Sequence, residues 1–175
     1  MLEIAVAYNR YHFLGEEFLT WLWFVIATDQ NRLRRLDEDL LALEIGNRIV
    51  LENRRQDAQE TITIKGDDAG LEEGILSLRK GAMVSELNLV YKSGELQWHF
   101  TIKGESLNLS SLSLPKTGVA ETAEELEGVV LEKAFLYEKI IEFLENLFKD
   151  FIKLRVSNHW QNQAVPLIKK WINST

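Results

Sequence analysis

FLGEEFLTWLWFVIA, residues 13–27, sets Leu14, Phe18, Trp21, Leu22 and Val25 at spacings of three and four. That is the apolar stripe of a helix facing a core. Leu19, Trp23, Phe24 and Ile26 fill much of the remaining circumference, so the helix is expected to be buried on several sides. Its polar residues, Glu16, Glu17 and Thr20, sit near the start, where carboxylates complement the positive end of the helix dipole. The apolar run falls short of the roughly 20 residues that span a bilayer. The expected helix runs from about Leu14 to Asp29. A break is expected at Asn9–His12, and Met1–Tyr8 is either a strand or a first helical turn.

Downstream of this helix the periodicity changes to two. Leu41, Leu43 and Ile45 alternate with smaller or charged residues, Gly46-Asn47 reads as a tight turn, and Arg48–Glu52 returns as a second strand. Asn53–Gln59 reads as a polar loop, and Thr61-Ile62-Thr63-Ile64 as a third strand. Asp68 is placed to cap a short helix, Leu71–Lys80, which Gly81 stops. A second hairpin follows. Its outgoing strand carries Val84, Leu87, Leu89 and Tyr91 with a change of phase near Ser85. Ser93-Gly94 turns, and Leu96, Trp98, Phe100 and Ile102 return in strict alternation. LNLSSLSLP, residues 107–115, is an edge strand ended by Pro115.

Lys116–Thr122 reads as a linker. Beyond it the pattern is helical, with Val129, Leu136, Ile140, Phe143, Leu147, Phe151 and Leu154 on one stripe and acidic and lysine residues opposite. Ser157 caps a last helix, which Pro166 kinks or divides. The expected class is α+β: a mainly antiparallel sheet of two hairpins, a buried N-terminal helix and a C-terminal helical pair. The expected organisation is an α+β domain over residues 1–115 with a helical segment, 123–175, packed on it.

The 175 residues include no cysteine, which removes disulfides, thiolate metal sites and cysteine nucleophiles. The start lacks the basic and long apolar regions of a secretory signal, so a cytoplasmic location is expected. The net charge of −7 argues against a surface that coats nucleic acid everywhere and leaves room for a local basic patch. His12 and Glu16 share a helix face, but no second ligand pair supports a metal there, and no cofactor is expected. No catalytic triad or glycine-rich phosphate loop is recognisable. The basic residues form three groups: Arg32, Arg34 and Arg35; Arg48, Arg54 and Arg55; Lys65, Arg79 and Lys80. The first two groups lie at element ends that could meet, which makes Arg32, Arg34, Arg35, Arg54 and Arg55 the candidate phosphate contacts. Trp21, Trp23, Phe143 and Phe151 are the candidate subunit interface.

FLGEEFLTWLWF, LEIGNRIVLE, GLEEGILSLRKGAMVSELNLVY, LQWHFTI and LNLSSLSLP occur in an order and spacing that resemble the carboxy-terminal half of RdgC-like recombination-associated bacterial proteins. The helix containing FLYEKIIEFLENLFKDFIKLR looks like that family's closing helical segment. The resemblance implies a non-enzymatic protein that binds double-stranded DNA without sequence preference, with a nucleoid association, and that forms a ring-shaped dimer. This chain is shorter than the family pattern and acidic. A homodimer, or pairing with a separate RdgC-like amino-terminal chain, is the expected assembly. The alternative is a protein-interaction or oligomerisation module without DNA binding of its own.

Overall fold

A computed structural model describes the backbone of residues 4–55, 58–66 and 68–174, and the side chains of 13–53, 60–66 and 70–174. Five strands form one antiparallel sheet: β1 (Ala42–Arg55), β2 (Ala58–Lys65), β3 (Met83–Ser93), β4 (Leu96–Lys103) and β5 (Asn108–Ser113). Their spatial order is β2-β1-β3-β4-β5. Helices α1 (Ile4–Thr28), α2 (Gln30–Arg34), α3 (Asp68–Arg79), α4 (Ala123–Arg155) and α5 (Val165–Ser174) complete the chain, with a π-helical turn at Trp160–Ala164 before α5. The α+β class expected from the sequence is the one observed.

The inward phase of each strand is apolar and buried: Leu43, Ile49 and Leu51 on β1, Val84, Leu87, Leu89 and Tyr91 on β3, Trp98, Phe100 and Ile102 on β4. These side chains meet α1 and the second half of α4, whose Leu136, Ile140, Phe143, Leu147 and Phe151 are buried. The indole Nε1–H of Trp98 donates to the Leu136 carbonyl at 2.9 Å in the core. That bond fixes where α4 first touches the sheet. On the opposite phase Arg48, Lys65, Gln97, His99 and Lys103 are exposed, Glu86, Asn88, Val90 and Thr101 are half-buried, and Val50 is buried.

α3 begins at Asp68 itself, so that residue is the helix's first and not a cap ahead of Leu71. Three further boundaries differ from the sequence reading. First, α1 runs unbroken from Ile4, through Asn9–His12, because nothing there is a helix breaker of the Pro or Gly kind. Second, Gly46-Asn47 is no turn. β1 passes straight through it, with a pairing irregularity against β3 between Ile45 and Ile49. The Asn88 side chain accepts from the Asn47 amide at 3.0 Å, and the Gly66 amide donates to the Asn47 carbonyl at 3.1 Å. Those bonds satisfy the bulged backbone, and a Cβ on Gly46 would sit 1.9 Å from Asn88 Oδ1. Third, Asn53–Arg55 and Ala58–Gln59 are strand, not loop. The hairpin closes between Arg55 and Ala58.

Other signals hold. The phase change at Ser85 is a β-bulge, since Val50 pairs with Glu86 and Leu51 with Val84, leaving Ser85 unpaired. Gly94 closes the β3–β4 hairpin at φ 57°, a conformation that glycine adopts at no steric cost. Gly81, at φ 95°, ends α3, with the Ala82 amide bonded to the Ser77 carbonyl and the Gly81 amide to that of Leu78. Thr122 and Glu125 form a capping box at the start of α4. The π turn precedes Pro166, whose missing N–H cannot continue an α-helical ladder.

β2 pairs with β1 only from Arg48 to Arg55, which leaves Ala42–Asn47 without a strand neighbour on that side. Gln30 of α2 covers this gap. Its side-chain amide donates to the Leu43 carbonyl at 2.7 Å and accepts from the Leu43 amide at 3.3 Å. Arg34 adds two bonds to the Leu41 carbonyl, at 3.1 and 2.9 Å.

Candidate functional site

The arginines proposed as phosphate contacts do not form one patch. Arg32 donates from Nε to Asp150 at 2.7 Å and lies over the Trp21 ring, 5.3 Å from its centroid. It ties α2 to α4 and α1. Arg34 is engaged by Leu41 and by Asn31 Oδ1. Arg35 is exposed. Arg54 and Arg55 stand at the far end of β1, and their side chains lie outside the described residues. A strand rising about 3.3 Å per residue separates the two groups by roughly 40 Å. The supposed turn at Gly46-Asn47 would have folded the second group back toward the first. The continuous strand keeps them apart.

The register instead joins two residues that sequence reading had put in different groups. Arg48 is the direct cross-strand partner of Lys65 on the exposed sheet face. Like charges directly opposite each other destabilise a sheet. Glu86, on β3, reaches Arg48 at 3.6 Å and Lys103 at 4.0 Å, so one carboxylate is shared by two cations. Among the described residues, Lys65 has no ion-pair partner. Two concavities meet at Asn47 and Arg48. One, of about 570 Å³, also includes Asn88, His99, Thr101 and Ser111. The other, of about 460 Å³, includes Thr63, Lys65 and Gly66. Asn88 is fixed there by bonds from Nδ2 to the Phe100 carbonyl at 3.1 Å and to Thr101 Oγ1 at 2.9 Å. The result is a shallow trough in which the Asn88 amide and the Thr63 and Thr101 side chains stand beside a pair of adjacent cations. The signal for it in the sequence was the register, which needs Arg55 set opposite Ala58 before Arg48 and Lys65 can be paired.

The candidate interface residues also require correction. Trp21, Trp23, Phe143 and Phe151 are each at most 3% exposed and belong to the chain's own core. Trp21 packs on Phe151, Trp23 on Trp171, and Phe143 on Tyr91. They lie inside one chain because α4 and α5, from the far end of the sequence, cover the apolar faces of α1. Among the exposed apolar side chains, Leu126, Val130, Leu131, Phe135 and Tyr137 fall together on the first half of α4.

A polar cluster lies where the segment after α2 meets α4. Tyr91 donates its hydroxyl to Asp37 at 2.5 Å, and Lys139 pairs with Asp39 at 2.5 Å. Burial first, and then the hydrogen bond to Asp37 and its charge, hold the Tyr91 phenol well above its ordinary value of 10.0. The unfolded phenol loses its proton near pH 10 while the folded one keeps it. This contribution is therefore full below about pH 10 and is lost as pH rises beyond it, at up to about 1.4 kcal/mol per pH unit. In denaturant titrations across that range, Tyr91→Phe is expected to show a shallower alkaline loss of stability than the parent. Equal slopes would mean that Tyr91 does not couple folding to alkaline pH.

Among the described residues, no group of three or more His, Asp or Glu side chains is placed to hold a metal ion. Glu16 is engaged in a contact, and the His12 side chain lies outside the described residues. Among the described residues, no helix is long and apolar enough to cross a membrane. No protein-family model matches the chain, and no curated protein matches it. The RdgC-like resemblance therefore rests on the quoted sequence blocks alone.

Proposed function

We propose that this chain is a non-enzymatic, RdgC-like protein that lays its open sheet face on the phosphate backbone of double-stranded DNA without reading sequence. The observation that carries this reading is the Arg48–Lys65 pair, two adjacent cations that a bridging phosphate would relieve. Arginine adds a planar fork that matches phosphate oxygens. The flat trough offers no helix or ribbon for a groove, so contacts to bases are not part of the reading. The site follows as nucleoid-associated in the cytoplasm. With a net charge of −7, long-range repulsion opposes the approach to DNA, and the expected affinity is in the ~10⁻⁴–10⁻⁶ M range of nonspecific binding.

Titration of a duplex at low and moderate salt tests this. The parent is expected to bind with a steep salt dependence, and Arg48→Ala with Lys65→Ala is expected to lower the slope of log affinity against log salt by about 2. Arg35→Ala with Arg54→Ala and Arg55→Ala measures the remaining arginines of the original set separately. No binding by the parent at low salt overturns the DNA reading. A second reading, a protein-interaction module, is favoured by the unpartnered apolar side chains on the first half of α4.

A further inference from the structure

Leu126, Val130, Tyr137, Ile141, Leu144 and Phe148 follow one another at spacings of four, seven, four, three and four, so they lie along one side of α4. This line is distinct from the buried stripe through Leu136, Ile140, Phe143, Leu147 and Phe151. Its two halves have opposite character. In the first half the side chains stand out in solvent: Leu126 is 55%, Val130 56% and Tyr137 49% exposed. In the second half, Ile141, Leu144 and Phe148 form one wall of an open apolar groove of about 310 Å³. Phe18, Ile102, Leu107 and Leu109 form the other wall. The same helix thus presents an apolar ridge and, two turns on, an apolar groove.

We propose that a second copy of this chain occupies the groove, through antiparallel two-fold pairing of α4. A two-fold axis at Tyr137 sets Val130 of each copy opposite Leu144 of the other, and Leu126 opposite Phe148. Each ridge then enters the partner's groove, and the contact is self-complementary, as a two-fold interface must be. The charge distribution selects the antiparallel sense. The cap and opening turns of α4 carry Glu121, Glu124, Glu125 and Glu127, whereas its end carries the exposed Lys149 and Lys153, with Lys149 also near Glu145, Asp150 paired to Arg32 and Arg155 paired to Glu17 within the chain. Antiparallel pairing brings the acidic start of one helix to the basic end of the other, and parallel pairing would bring like ends together. The helix dipoles favour the same sense. Leu131 and Phe135 lie further round the helix and are not part of this line. The inference gives the protein-contact reading its partner and rests on that reading, not on the DNA reading.

The test uses the full chain without DNA. Because the protein has no cysteine, Tyr137→Cys introduces a single thiol at the proposed axis. Under mild oxidation it is expected to give a disulfide-linked dimer in high yield. A mixture of Val130→Cys and Leu144→Cys chains should give mainly the mixed dimer. Lys170→Cys, at an exposed position on α5, should give little of either. Sedimentation of the parent is expected to show concentration-dependent dimerisation, and Leu126→Glu with Val130→Glu should leave a folded monomer whose melting midpoint matches that of the parent at concentrations too low for dimerisation, since neither side chain is in the core. A parent that stays monomeric across a wide concentration range overturns the second-copy inference and leaves the choice between a different protein partner and DNA to the duplex titration. A dimer that survives the double Glu variant and does not cross-link through position 137 overturns the α4 seam while leaving self-association intact.

Discussion

Replacing Trp21 with alanine is expected to remove about 3–5 kcal/mol of folding stability, the range for a large aromatic deleted from a core. Trp21 is 1% exposed. Its ring centroid lies 5.3 Å from that of Phe151 on α4 and 6.1 Å from that of Phe18 on its own helix. The Arg32 guanidinium lies over its face while bonded to Asp150. One side chain therefore joins α1, α2 and α4, and a cavity there cannot collapse without moving a helix. Urea unfolding measures the loss directly. An unchanged midpoint would mean that the α1–α4 contact contributes little to the fold.

The second large effect comes from adding one carbon. Gly15 lies inside α1, where alanine is ordinarily favoured over glycine by about 1 kcal/mol. Here the sign is expected to reverse. A Cβ on Gly15 would stand 1.8 Å from the carbonyl oxygen of Gly104, just past β4. The obstacle is backbone and cannot rotate away, so the helix or the β4–β5 connection must shift. Gly15→Ala is expected to destabilise by about 3 kcal/mol, the upper part of the overpacking range. Gly104→Ala serves as the comparison. Its Cβ would meet neighbours at 3.2–3.3 Å, which can yield by a few tenths of an ångström, so a smaller loss is expected. If Gly15→Ala matched or exceeded the parent in thermal unfolding, the close approach of helix and sheet would be refuted.

Much of this architecture can be read from local pattern. The alternation through Trp98, Phe100 and Ile102 gives a strand because its two faces differ in water access, and that difference is written at every second residue. The α4 core stripe is legible for the same reason at helical spacing, and the capping residues mark its start. What the pattern could not reveal depends on partners distant in sequence. Gly46-Asn47 looks like a turn until Asn88, from another strand, is seen bonding the Asn47 amide. That one substitution of bulge for turn extended β1, separated Arg34 and Arg35 from Arg54 and Arg55, and moved the adjacent cations to Arg48 and Lys65. The burial of Trp23 depended on Trp171, which lies at the other end of the chain. The exposed ridge on α4 was also hidden, because its Leu and Val residues look like any core stripe until the position of the sheet is known. Trp98, bonded to the Leu136 carbonyl, marks where the core begins.

The Gln30 amide has a consequence beyond holding α2 in place. By giving and taking one hydrogen bond at Leu43, it occupies the donor and acceptor that a further strand would use. An unguarded stretch of β1 beside the end of β2 would offer a foreign chain a template for strand addition, the usual route from a native sheet to aggregation. The protein guards that stretch with a side chain that imitates the missing strand, reinforced by Arg34 on Leu41. The helix that fills the core thus leads directly into the residue that keeps the sheet from growing.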